Sequence, residues 1–130
     1  MELAYHHHHF EFQKFDGMNG LDILWQNSSP ENLKAELDTF WLKYGGEDPA
    51  AYIARLGPRT PLLHIKDMQP GPERRFGEVG TGTIDFKPIL AAAERAGVRW
   101  LIVEQDSTYD RPPLDSVRIS FENLRRLGAV

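Results

Sequence analysis

Four strand-like segments alternate with four helical segments along the 130-residue chain, at roughly 30 residues per strand–helix unit. No other feature restricts the fold so strongly. A helix-length crossover returns the next strand parallel to the last, whereas antiparallel neighbours are joined by short turns. Strands read at residues 3–12 (running into an aromatic-rich loop), 33–41, 60–66 and 98–104, and helices at 20–27, from Pro49 to Leu56, from Asp85 to Ala96 and from Leu114 to Leu127. The punctuation agrees. Asp16-Gly17 and Asn19-Gly20 are turn pairs, Asp48 is an N-cap before Pro49, and Gly57-Pro58 and Gly97 stop helices. In the second strand Leu33, Ala35 and Leu37 share one face and Lys34, Glu36 and Asp38 the other. The last helix is expected to turn Val117, Phe121 and Leu124 inward. The expected fold is α/β, a parallel sheet covered by helices, in one domain spanning residues 1–130.

Composition narrows the partners. With 15 basic against 19 acidic residues and a net charge of −4, the chain offers no basic groove for nucleic acid and no polybasic membrane segment. It has no cysteine, which excludes disulfides and Cys-based zinc sites and fits the cytoplasm. No apolar run approaches the ~18 residues that span a bilayer. Met1-Glu2-Leu3 lacks a signal-peptide start, and strand text follows at once, as though the chain began partway through a fold.

In parallel α/β folds, functional side chains gather at the carboxyl ends of the strands. Here every strand ends in such groups: His6 and His8, then Glu36 and Asp38, then His64, Lys66 and Asp67, then Glu104 and Asp106. Mixed imidazole and carboxylate donors suit Zn²⁺, Mn²⁺, Fe²⁺ or Co²⁺. Each residue also has a plainer reading. Asp38 would cap the following loop, His64 would be a satisfied core histidine, and Lys66 and Asp67 a solvated ion pair. Glu104 is the hardest to dismiss. It follows the apolar run Trp100-Leu101-Ile102-Val103 and needs a cation or donor if it faces the core. Of Glu36 and Asp38, the latter is preferred because it lies nearer the strand end. The long segment 67–83 reads as a functional loop without secondary structure.

The four histidines His6 to His9 look like a purification-tag remnant, but they stand between Tyr5 and Phe10-Glu11-Phe12. Read at period two, His6 and His8 share a face, while Tyr5, His7 and His9 share the other. Tyr5-His6-His7-His8-His9-Phe10-Glu11-Phe12 resembles a Tyr-His-Asn-His-x-Phe-Glu-Phe strand. Glu36-Leu37-Asp38-Thr39-Phe40-Trp41, Leu63-His64-Ile65-Lys66-Asp67, the run from Gly77 to Asp85, and Val103-Glu104-Gln105-Asp106 follow in order. Together these five motifs resemble the sugar phosphate isomerase/epimerase family, with its xylose-isomerase-like TIM barrel.

That resemblance implies four βα units, strands five to eight of a (β/α)8 barrel, forming its C-terminal half. It implies metal ligands at Asp38, His64 and Glu104, with a further ligand, a glutamate, on a fourth strand outside this chain. It implies a proton transfer of the enediolate type beside the carbonyl of a sugar-like substrate, with Glu104 as the proton carrier. His6, His8 and Lys66 would contact substrate and Glu78 would help close the site. His7 and His9 depart from the family's motif. An open half-barrel leaves two strand edges unpaired, so a homodimer closing an eight-stranded barrel is expected. The alternative is a catalytically silent half-barrel that self-associates as a scaffold. An abasic-site nuclease on the same barrel is disfavoured by the negative charge.

Overall fold

A computed structural model describes residues 1–129. In chain order the elements are β1 (Ala4–His6), a one-turn 3-10 helix (Phe10–Phe12), β2 (Lys14–Phe15), β3 (Met18–Asn19), α1 (Gly20–Gln26), β4 (Lys34–Asp38), α2 (Thr39–Tyr44), α3 (Pro49–Leu56), a second 3-10 turn (Gly57–Arg59), β5 (Leu62–Ile65), β6 (Asp67–Met68), β7 (Phe76–Gly77), α4 (Phe86–Ala96), β8 (Trp100–Val103) and α5 (Pro113–Arg126). The four expected strands form one sheet in the order β1-β4-β5-β8, every pair parallel. Two small antiparallel hairpins, β2–β3 and β6–β7, lie outside it. No helix among the described residues is long and apolar enough to cross a membrane.

The sheet has two unlike faces. Ala35, Leu37, Leu63 and Ile65 point to the helices and are fully buried with Phe40, Leu42, Ile53 and Ile89. Each large side chain among them contributes about 1.5–3 kcal/mol by leaving water. The other face carries His6 beside Glu36, Asp38 beside His64, and Leu62 beside Trp100. Among the described residues no helix covers it, and on β8 Trp100 and Ile102 stay exposed. The sheet curls around this bare face. Glu2 and Arg99 precede the two opposite edge strands, yet their side chains meet as an ion pair. This is the geometry of half a barrel with its inner wall open.

Three expectations are corrected. The second strand was expected to run to Trp41, but it ends at Asp38, whose Oδ1 accepts from the backbone N–H groups of Phe40 and Trp41 and starts α2. The 67–83 segment is not structureless. Asp67 is fully buried, and its carboxylate accepts from four backbone N–H groups, those of Met68, Gly80, Gly82 and Ile84. Asp67 and Lys66 are therefore no solvated ion pair. Gly82 is required here, because a Cβ would come within 2.2 Å of the Met68 carbonyl oxygen and 2.5 Å of Asp67 Oδ1. Finally, α5 is rotated from the expected face. Ser116, Ser120 and Leu124 are buried, while Val117 and Phe121 are exposed. Polar bonds set this rotation: Val79 N donates to Ser120 Oγ, Asn123 Nδ2 donates to the Val79 carbonyl, and Ser116 Oγ donates to Glu78 Oε1.

Arg59, unremarked in the sequence, ties α1 to the start of β4. Its guanidinium donates to the carbonyls of Leu33, Trp25 and Ser28, and to Ser28 Oγ. Arg59→Ala leaves those carbonyls without a donor and is expected to lower the unfolding free energy by about 3 kcal/mol. Urea denaturation measures this, and a loss below about 1 kcal/mol would contradict it.

Candidate metal centre

The carboxyl ends of the four parallel strands converge on one cluster: His6 from β1, Asp38 from β4, His64 just inside the end of β5 and Glu104 just beyond β8. One potential ligand atom from each lies within 4.8 Å of all the others. Strand termination produces this convergence. Asp38 spends Oδ1 on capping α2, which leaves Oδ2 directed at the site. That oxygen lies 3.1 Å from His6 Nε2, 3.3 Å from Lys66 Nζ and 3.9 Å from His64 Nδ1. His64 Nδ1 lies 2.6 Å from Glu104 Oε2, while Glu36 Oε1 lies 2.5 Å from the other ring nitrogen. Both Glu36 and Asp38 thus reach His64, where only one was expected. Carboxylates flank both ring nitrogens, so a cation seated at Nδ1 would take the lone pair there while Glu36 holds the proton on Nε2.

His64 Nδ1 and Glu104 Oε2 are buried at the centre of this cluster, with Lys66 Nζ 2.8 Å from the same carboxylate oxygen. A cation seated between them would take a lone pair from each. Zinc bonds to nitrogen of about 2.0–2.1 Å place neighbouring tetrahedral ligand atoms about 3.3 Å apart. The observed 2.6, 3.1 and 3.9 Å separations bracket that value. The residues present fit a divalent cation.

Electrostatics point the same way. Lys66 is nearly fully buried and touches three carboxylates, Asp38, Glu104 at 2.8 Å and Asp106 at 2.9 Å. Glu36 adds a fourth carboxylate to the cluster through His64. Burial opposes the charge on Lys66, but Asp38, Glu104 and Asp106 outweigh it and raise its pKa. Burial alone would also raise the Asp38 carboxyl. The His6 hydrogen bond and the Lys66 charge prevail and hold it below the ordinary carboxylate range. The same hydrogen bond raises His6.

The other expected site residues fall differently. The His8 ring stacks on Phe10 and lies 4.9 Å from the His6 ring and 5.2 Å from Trp41, at the rim rather than in the cluster. Glu78 shares no polar contact with the cluster. It is buried against α5, bonded to Ser116 and Arg111. Two positioning residues had gone unrecognised. Thr39 Oγ1 accepts from Lys66 N at 2.9 Å and donates to the Lys66 carbonyl at 2.7 Å, locking β4 to β5. His7 is fully buried, and its Nε2 accepts from the Asp38 backbone N–H at 3.1 Å. Its Nδ1–H must then donate to the His8 carbonyl at 3.0 Å. The only signal for His7 was its departure from the resembling motif.

With this geometry in hand, the comparisons with known proteins are specific. The sequence profile of the xylose isomerase-like TIM barrel matches residues 2–127. An inosose dehydratase of Lacticaseibacillus casei is 30% identical over 123 residues, covering 82% of this chain and 41% of that protein. The crystal structure of a sugar phosphate isomerase/epimerase from Parabacteroides distasonis superposes with a TM-score of 0.82 at 25% identity, over 96% of this chain and 45% of that one. The IOLI protein, solved with a bound zinc atom, shares the fold with a TM-score of 0.61 at 18% identity, over 82% of this chain and 41% of that one. The chain thus spans less than half the length of these relatives.

His7 gives the cluster a pH signature. Burial pushes its imidazole below the ordinary value, so its contribution to stability is present above about pH 6.5 and is lost as pH falls toward the lowered folded-state value. In His7→Gln an amide oxygen accepts from Asp38 N–H without titrating. The stability advantage of the wild type over this variant should shrink as pH falls from about 8 to about 5. A pH-independent difference in urea denaturation would contradict this role.

Proposed function

The chain belongs to the xylose isomerase-like TIM barrel family, and we propose that it is half of a divalent-metal-dependent isomerase or epimerase acting on a sugar-like ketone or aldehyde. The observation that carries this reading is the convergence of ligand atoms from Asp38, His64 and Glu104 at the carboxyl ends of three parallel strands, all within 4.8 Å of one another. Asp38, His64 and Glu104 hold the ion. Zn²⁺, Mn²⁺, Co²⁺ and Fe²⁺ all suit this donor set. When bound, such an ion supplies Lewis-acid polarisation of a carbonyl.

The remaining steps belong to side chains. Glu104 is 39% exposed, so one carboxylate oxygen faces the open side of the cluster and accepts a proton from the carbon beside the carbonyl. Lys66, held charged by its carboxylates, donates a hydrogen bond to the substrate oxygen that gains negative charge. His8, stacked on Phe10 beside Trp41, orients hydroxyl groups at the rim. The similarity to inosose dehydratase supports the same first event, because dehydration and epimerisation beside a carbonyl both begin by removing that proton. The lack of cysteine suits a cytoplasmic setting.

Full turnover requires the other half of the barrel. A second copy of this chain supplies the complement, as a homodimer of two four-stranded halves. Exposed Trp100 and Ile102 on the inner wall, and Leu114, Val117 and Phe121 on α5, support this. They are large exposed apolar side chains of the kind a closing half would cover.

The protein purified with zinc in the medium should retain about one equivalent per subunit, by elemental analysis. His64→Ala and Glu104→Gln should each remove most of it. Light scattering should give twice the 14.9 kDa chain mass, and Trp100→Glu should return it to the monomer. The metal-loaded dimer should exchange the hydrogen beside a ketose carbonyl with deuterated solvent, followed by NMR. Absence of bound metal would sink the enzymatic reading. A metal-loaded dimer without exchange would leave the silent scaffold.

A further inference from the structure

The resemblance implies that one ligand of the ion comes from a strand outside this chain. The geometry points to a different solution. We propose that His6 is itself a ligand, so that the four strands of this chain supply a complete set of two imidazoles and two carboxylates. This inference rests on the metal reading above and assigns His6 a different role from the substrate contact expected of it.

Four observations support it. His6 Nε2 lies 3.1 Å from Asp38 Oδ2, close to the ~3.3 Å between ligand atoms around tetrahedral zinc; an ion bound there would displace the proton the two atoms now share. Its ring centroid is 4.3 Å from that of His64 and tilted by 49°, so the rings are not stacked and both can turn a nitrogen toward a common centre. The parallel register places His6 beside Glu36 on the inner face, one residue pair below Asp38 and His64. Finally, one potential ligand atom of His6 falls within 4.8 Å of one on each of Asp38, His64 and Glu104. The rest of the histidine run does not compete. His7 spends both nitrogens on the backbone, and His8 stacks on Phe10.

The donor chemistry has a consequence. Two nitrogens with two carboxylate oxygens favour zinc or cobalt over the harder magnesium and calcium, which prefer all-oxygen shells. A half-barrel with this set needs no ligand from a partner to complete its metal shell.

X-ray absorption of the zinc-loaded wild-type protein tests this without any variant, because multiple scattering counts the coordinated imidazoles. Two imidazoles are expected, and one would overturn the proposal. Zinc affinity, measured by chelator competition, should fall more than about 100-fold in His6→Ala, beyond the 10–100-fold usual for a residue that only orients a ligand. Added imidazole should recover part of that loss, and His8→Ala should stay within about threefold of the wild type. In cobalt-loaded protein, His6→Ala should replace the intense visible bands of a four-coordinate ion with weak ones. If His64→Ala loses zinc while His6→Ala keeps it with an unchanged cobalt spectrum, His6 is not a ligand and the three-residue site stands. If the wild type binds neither ion, the metal reading fails as well.

Discussion

Asp38 holds the two halves of the structure together, because its two oxygens serve different ends. Oδ1 caps α2 and thereby stops β4, while Oδ2 enters the cluster. Its backbone N–H is fixed by buried His7, and the next residue, Thr39, clamps the end of β5 through the Lys66 backbone. A single side chain therefore links the hydrogen bonding that ends a strand to the electrostatics of the site. These hydrogen bonds hold the Asp38 carboxylate in one orientation, as preorganised electrostatic chemistry requires. The contacts with His6 and Lys66 explain how this carboxylate, with no solvent exposure, stays ionised despite its burial.

The bare face of the sheet has a similar logic at larger scale. The helix-facing side is packed with side chains of near-zero exposure, while the inner wall presents charged groups at one end and exposed Trp100 and Ile102 along β8. A closed barrel fills this space with layers of side chains from alternate strands. Here half of each layer is present. The Glu2–Arg99 ion pair draws the two edges toward one another. With both partners about half exposed, it adds little stability.

Much of this was legible in the sequence. The helix boundaries at Asp48-Pro49 and at Asp85 to Gly97 came from caps and stops, whose chemistry is local. That imidazoles and carboxylates gather at one end of the sheet followed from the rule that parallel strands deliver function at their carboxyl ends, and the resemblance singled out Asp38, His64 and Glu104 among them. What was missed was non-local. Thr39 to Trp41 has strand-like composition, and only the Asp38 cap turns it into helix. The face of α5 was misjudged because apolar spacing picked Val117 and Phe121, whereas hydrogen bonds from the Glu78–Val79 loop to Ser116, Ser120 and Asn123 set the rotation. Asp67 looked like a surface charge until its four backbone donors were seen. Glu78 is bound to Ser116 and Arg111, contacts across more than 30 residues that no spacing rule encodes.

A crystal structure of the protein grown with zinc, with diffraction measured on both sides of the zinc absorption edge, tests most directly whether the carboxyl ends of these strands form a divalent-cation site. One strong anomalous peak is expected at about 2.0–2.3 Å from His64 Nδ1, Glu104 Oε2 and Asp38 Oδ2. A peak elsewhere on the surface, or a cluster occupied only by the Lys66 ammonium at saturating zinc, would contradict it.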